Sequence, residues 1–129
     1  MKKYFMKKTL LTIVCLICFG IYANHHEKGY KFETLAEGLS FPWGIAFLSN
    51  DEILVTEKTG QLRLIKNGEL LEKPISGVPE SLFKGQGGLE GIVLHPDFVN
   101  NKYLYLAFSE TDEDNIKLNT LRVVRGQLE

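Results

Sequence analysis

Cysteine is nearly missing from these 129 residues, and where its two copies fall excludes several chemistries at once. Cys15 and Cys18 both lie in the first 23 residues, so residues 24–129 hold no thiol. Those residues therefore offer no disulfide framework, no cysteine-ligated metal and no cysteine nucleophile. Histidine is also scarce, at three copies, and His95 is the only one beyond His25 and His26. An apolar run of the ~20 residues needed to span a bilayer is lacking too. The stretch Leu10 to Tyr22 falls short of that length, follows Lys2, Lys3, Lys7 and Lys8, and ends beside the small residue Ala23. That order of charge, apolar core and small residue is the order of a secretory signal peptide. Cleavage is expected after Ala23, with an uncleaved anchor as the alternative, and the product is expected in the periplasm or outside the cell. Removing 1–23 takes four lysines and no acidic residue, which leaves 11 basic and 16 acidic side chains, a net charge of −5. A nucleic acid partner calls for a basic surface, and this one is acidic. No membrane partner is expected once the leader is gone.

What is present reads as β structure. After the polar Asn24-His25-His26, Tyr30 to Leu39 alternates loosely and predicts a leading strand. Phe41 to Leu48 is a continuous apolar run closed by Ser49-Asn50-Asp51. Glu52 to Lys58 is rich in β-branched residues, Thr59-Gly60 turns the chain, and Gln61 to Lys66 is a further strand stopped by Asn67-Gly68. Pro74 and Pro79 limit any strand between Leu70 and Val78 to a short edge piece. No stretch after the leader shows a helical period.

The second half repeats the first. Gly91-Ile92-Val93-Leu94 answers Gly44-Ile45-Ala46-Phe47 at an offset of 47 residues. Tyr103 to Leu106 answers Ile53 to Thr56, and Leu121 to Val124 answers Leu62 to Ile65. A period of roughly 40–50 residues of short strands and tight turns is that of a propeller blade. The segment Lys102 to Ser109 is apolar on both faces, Tyr103, Tyr105 and Ala107 one way and Leu104, Leu106 and Phe108 the other, which predicts a sheet on each side of it. The fold class expected is all-β, a leading strand and about two blades of a propeller cut short at Glu129, within a domain of residues 24–129. A two-layer sandwich is the runner-up.

The stretch around which these elements are arranged is Gly85-Gln86-Gly87-Gly88-Leu89-Glu90-Gly91-Ile92-Val93-Leu94-His95-Pro96-Asp97-Phe98, a glycine loop that enters an apolar strand and leaves by a turn. Glycines let a backbone turn sharply or approach a bound molecule, and Gln86 is the one side chain in the loop able to hold it.

Phe41 to Leu48, Leu54 to Arg63, Ser76-Gly77-Val78-Pro79, Gly85 to Leu89, Leu94 to Phe98 and Val124 to Leu128 together resemble the beginning of the soluble glucose/sorbosone dehydrogenase family. The resemblance implies an exported six-bladed propeller that oxidises aldose sugars at the anomeric carbon to lactones, with pyrroloquinoline quinone (PQQ) as hydride acceptor and calcium bound. It implies that Gln86 faces sugar and cofactor. It places the base histidine in a later blade, within a His-Phe-Gly-like segment, together with the PQQ-gripping cations and the calcium ligands, so no catalytic residue is assigned here and the chain alone is expected to be inactive. The electron acceptor stays unassigned. The alternative in a different class is a non-enzymatic secreted propeller that binds a glycan or a protein partner.

The remaining polar residues read as structural. His95 has a suitable side chain for proton abstraction, yet the resemblance makes it and Asp97 turn residues. Glu90 is a pocket carboxylate or an exposed one. Asp112-Glu113-Asp114 lacks the glycine and later glutamate of a calcium hand and reads as a solvated connection. Trp43 reads as packing. With a free amine at Asn24, His26 becomes the third residue from it, an arrangement that can hold Cu(II) or Ni(II) in a square plane of nitrogens, and a frayed terminus is the alternative.

Overall fold

The computed structural model describes residues 29–111 and 119–129. The leader, His26 and Asp112-Glu113-Asp114 lie outside the described residues. The described part of the chain is nearly all β. Strands β1 (Pro42–Phe47), β2 (Glu52–Glu57), β3 (Gln61–Lys66) and β4 (Glu69–Leu70) form one antiparallel meander, and β5 (Leu89–Leu94), β6 (Tyr103–Thr111) and β7 (Asn119–Gln127) form a second. The repeat seen in the sequence is thus a repeat of strands, with β1, β2 and β3 matched by β5, β6 and β7.

Local chemistry explains the turns. Lys66 faces Glu69 across a two-residue loop in which Asn67 and Gly68 have φ of 52° and 79°. Two successive positive φ values make the turn whose twist suits a hairpin, and Asn-Gly is the pair that adopts it at least cost. The loop from β2 to β3 closes through Gly60 at φ 101°, with its N–H donating to the Glu57 carbonyl at 2.9 Å. Beyond β4 only an isolated bridge, Leu62 to Ile75, continues the sheet, as the flanking prolines require. The helical turn α1 (Phe98–Asn101) is too short to leave a period in the sequence.

The two sheets stack face to face. Leu54 and Leu62 from the first meet Leu89, Leu104, Leu106 and Phe108 from the second, all of them buried. Full burial of each such side chain contributes about 1.5–3 kcal/mol. Strands β1 and β5 lead their sheets at this junction, and both break register with the next strand near their starts, between Pro42 and Ile45 and between Leu89 and Ile92. A shared irregularity at the same point of both repeats bends the leading strand and re-aims what precedes it.

Two expectations change. Residues 30–39 form no strand, where the sequence predicts a leading strand; Gly38 has φ 84°, and Ala36 and Leu39 instead pack on Ile53, Val55 and Ile65, the outer face of the first sheet. The alternating residues Tyr30 and Phe32 are both about 90% exposed, and only the later Ala36 and Leu39 cover a sheet face. Likewise, among the described residues β6 is covered by a sheet on one face only. Tyr103, Tyr105 and Ala107 are half-buried, while Val93, Leu121 and Val123 beside them are more than 60% exposed. The ring carbons of the two tyrosines are screened locally instead: His95 stacks on Tyr105, and the Arg125 guanidinium lies 4.4 Å from the Tyr103 centroid.

Thr56 ties the sheets together. Its hydroxyl accepts from the Gly44 N–H at 2.8 Å within the first sheet and donates to the Glu90 carbonyl of the second, and the residue is fully buried. Gly44 is required at that junction, because a Cβ there would lie 2.7 Å from the Glu90 carbonyl oxygen. Thr56→Val keeps the shape and removes both bonds, leaving the Gly44 N–H and the Glu90 carbonyl without a partner. Urea denaturation should show a loss of about 1–3 kcal/mol, and an unchanged midpoint would show that the hydroxyl does not hold the sheets.

Candidate functional site

The loop entering β5 is built by exclusion of side chains. Gly85 has φ 60° and Gly88 φ 149°, backbone conformations that residues with a Cβ rarely adopt. A Cβ on Gly88 would come 2.3 Å from the Lys58 carbonyl oxygen, and one on Gly87 would come 2.9 Å from Ser109 Oγ. The loop closes on itself through the Gly87 N–H, which donates to the Lys84 carbonyl at 3.0 Å. It is then stitched to both sheets. The Leu89 N–H donates to the Lys58 carbonyl at 3.3 Å, and the Ser109 N–H donates to the Gly88 carbonyl at 2.9 Å. Gln86 is left at the crest with an exposed side chain.

Around the loop stand residues of differing character. Lys58 is buried, and its Nζ donates to the Gly85 carbonyl at 3.2 Å while lying 4.8 Å from the Trp43 ring centroid. Trp43 is therefore not simple blade packing: the residue is 58% exposed and its ring covers a cation. Phe41 adopts φ 50°, unusual for a bulky residue. Its carbonyl accepts from the Lys58 N–H at 3.0 Å, and its ring meets that of Phe83 at 5.3 Å. Glu90 is half-buried, with Ser109 Oγ 3.4 Å from its Oε1.

One carboxylate near the loop has a fixed structural use. Glu57 is fully buried, accepts the Ser40 N–H at 2.6 Å and faces Arg63 at 3.5 Å, and Arg63 in turn donates to the Leu71 carbonyl at 2.9 Å. A charge taken from water is tolerated when it is paired and hydrogen-bonded in this way. The pair secures the turn into β1 and the strand exit past β4.

His95 lies in the turn after β5, far along the strand from Gln86. Its Nδ1 accepts from the Asp97 N–H at 3.0 Å and lies 2.8 Å from Asn101 Nδ2, which places the ring proton on Nε2. Asp97 begins α1 and accepts from the Asn100 amide. Both residues shape the turn. Among the described residues no group of three or more His, Cys, Asp or Glu converges as a metal site. What the arrangement offers chemically is one exposed amide, able to donate and accept, on a loop whose backbone is held at both ends. The sequence singles out Gln86, which stands exposed in this loop, but gives no local sign of Lys58, which follows the polar Thr56 and Glu57 as an ordinary strand-end lysine would.

Comparison with known proteins identifies the family of this fold. The profile of the family described as glucose/sorbosone dehydrogenase matches residues 39–129. An aldose sugar dehydrogenase of Escherichia coli is 36% identical over 110 residues, covering 84% of this chain and 30% of that protein. The crystal structure of the soluble aldose sugar dehydrogenase of Escherichia coli in its apo form superposes with a TM-score of 0.69 at 38% identity, over 75% of this chain and 28% of that one. The PQQ-bound aldose sugar dehydrogenase of Streptomyces coelicolor superposes with a TM-score of 0.61 at 28% identity, over 74% of this chain and 27% of that one. The chain thus spans under a third of the length of these relatives. No helix among the described residues is long and apolar enough to cross a membrane. With the profile covering both sheets and the loop that joins them, the chain belongs to the glucose/sorbosone dehydrogenase family, as part of its propeller.

Proposed function

We propose that these residues are the N-terminal portion of an exported quinoprotein that oxidises aldose sugars at the anomeric carbon to lactones, and that Gln86 is their contribution to its pocket. The observation that carries the reading is the placement of Gln86: an exposed amide at the crest of a loop whose glycines leave no other side chain to meet a ligand. The relatives supply the class of reaction, since those compared above are aldose sugar dehydrogenases, one of them with PQQ bound.

PQQ fits the donor set present. A quinone oxygen and a sugar hydroxyl both ask for a neutral partner that can donate or accept, and an amide does both without adding a charge that would compete with other groups. Gln86 would hold either one, and when bound the cofactor supplies the two-electron acceptor, with calcium to polarise it. The chain's own share is orientation: an amide fixed in direction lowers the entropy lost when the sugar is positioned. The proton-abstracting histidine, the cations for the PQQ carboxylates and the calcium ligands are proposed to come from blades outside these residues. Export rests on the leader reading of residues 1–23, so the working site is periplasmic or extracellular.

Two measurements test this. The chain supplied with PQQ, Ca²⁺ and glucose should reduce no dye above a blank, and reduction above the blank would show that the pocket is complete without other blades. In the enzyme that carries these residues with its remaining blades, Gln86→Ala should lower kcat/KM for the sugar about tenfold, the loss of one well-placed hydrogen bond. An unchanged kcat/KM would remove Gln86 from the pocket.

A further inference from the structure

Lys58 is a cation where cations are rarely found. It is 7% exposed, it stands in none of the ion pairs among the described residues, and its ammonium meets one carbonyl, that of Gly85, and one aromatic face, that of Trp43. Taking an ammonium from water without a carboxylate to balance it is costly. A methylene stem ending in an apolar group would fill the same space at less cost, so the charge calls for a reason beyond packing.

The carbonyl it holds gives the reason. The Gly85 C=O belongs to the planar peptide unit whose other end is the N–H of Gln86, so fixing that oxygen fixes the plane from which the Gln86 side chain departs. Gly85, at φ 60°, has no Cβ to limit its rotation, and the position a Cβ would take is open space, so no side-chain packing at that residue fixes the peptide. On the far side of Gln86, the backbone of the same Lys58 receives the Leu89 N–H and presses against Gly88. One residue therefore grips the loop on both sides of the glutamine, by its ammonium before and its carbonyl after. A charge-assisted hydrogen bond is about twice as strong as a neutral one, and the Trp43 face stabilises the cation further. We infer that Lys58 is a positioning residue that aims the Gln86 amide through the Gly85 carbonyl. This deepens the reading of Gln86 as ligand-facing and rests on it for its functional consequence, although the clamp itself can be measured without any ligand.

The test is amide hydrogen exchange by NMR on the whole chain, in wild type, Lys58→Met and Lys58→Arg. Lys58→Met should speed exchange at the Gly87 N–H about tenfold while leaving the amides of β2 unchanged, because only a local opening has become easier. Lys58→Arg should return it to within about threefold of wild type, since a guanidinium can still donate to the Gly85 carbonyl. Unchanged exchange at Gly87, or a rise matched throughout β2, overturns the clamp. Should Lys58→Met fail to fold, Trp43→Leu keeps the lysine and removes the exposed ring, and it should raise Gly87 exchange about threefold; no rise overturns the proposal. In the enzyme with its remaining blades, Lys58→Met and Gln86→Ala should be non-additive, the double variant losing no more kcat/KM than Gln86→Ala alone. Additive losses would give Lys58 a role independent of Gln86 and overturn the positioning role. If Lys58→Met loosens the loop and Gln86→Ala costs no activity, the clamp stands and the proposed function falls.

Discussion

The constraint on which the structure depends is how closely β1 and β5 must approach. Two leading strands can meet only if one of them surrenders a side chain at the crossing, and Gly44 does so beneath the Glu90 carbonyl. The Thr56 hydroxyl then occupies the small space that remains and satisfies backbone groups from both sheets. A buried polar contact of this kind is worth having because the alternative is an unpaired carbonyl in an apolar seam. Everything nearer the loop inherits its position from that seam, since Leu89, the first residue of β5, is bonded back to the end of β2 through Lys58.

The same junction explains why the polar residues at the end of β2 are so unlike the rest of the core. Thr56, Glu57 and Lys58 are successive, and all three are buried. Their side chains alternate in direction, so each serves a different neighbour: Thr56 the second sheet, Glu57 the segment entering β1 and Arg63 on β3, Lys58 the glycine loop. Three consecutive polar residues thus join the elements that a purely apolar strand end would leave to slide against one another.

Much of this was legible in the sequence, for identifiable reasons. Strand positions followed from β-branched residues and from turn pairs such as Asn67-Gly68, whose backbone demands are local. The pairing of repeats followed from the glycine-led strands at Gly44 and Gly91, 47 residues apart, and from the matching order of the strands after each. Gln86 stood out because its neighbours are glycines. Other features depended on contacts distant in sequence. The segment from Tyr30 to Leu39 alternates as a strand does, yet its apolar residues after Thr34 serve to cover Ile53 and Val55 and find no ladder. Lys58 reads as an ordinary strand-end lysine until Gly85, 27 residues away, is seen to need it. Trp43 reads as core until its ring is found lying over that ammonium.

The outward faces of the two sheets carry a consequence for handling the polypeptide. Trp43, Ile45 and Phe47 on one side and Val93, Leu121 and Val123 on the other are each more than half exposed. Apolar patches of this sort favour self-association in water. The two faces differ in shape and composition, so copies meeting through them would join front to back, a geometry that propagates into chains unless its rotation happens to close a ring. Colloidal behaviour in dilute buffer is therefore governed by whatever shields these two surfaces, rather than by the modest net charge of the polypeptide.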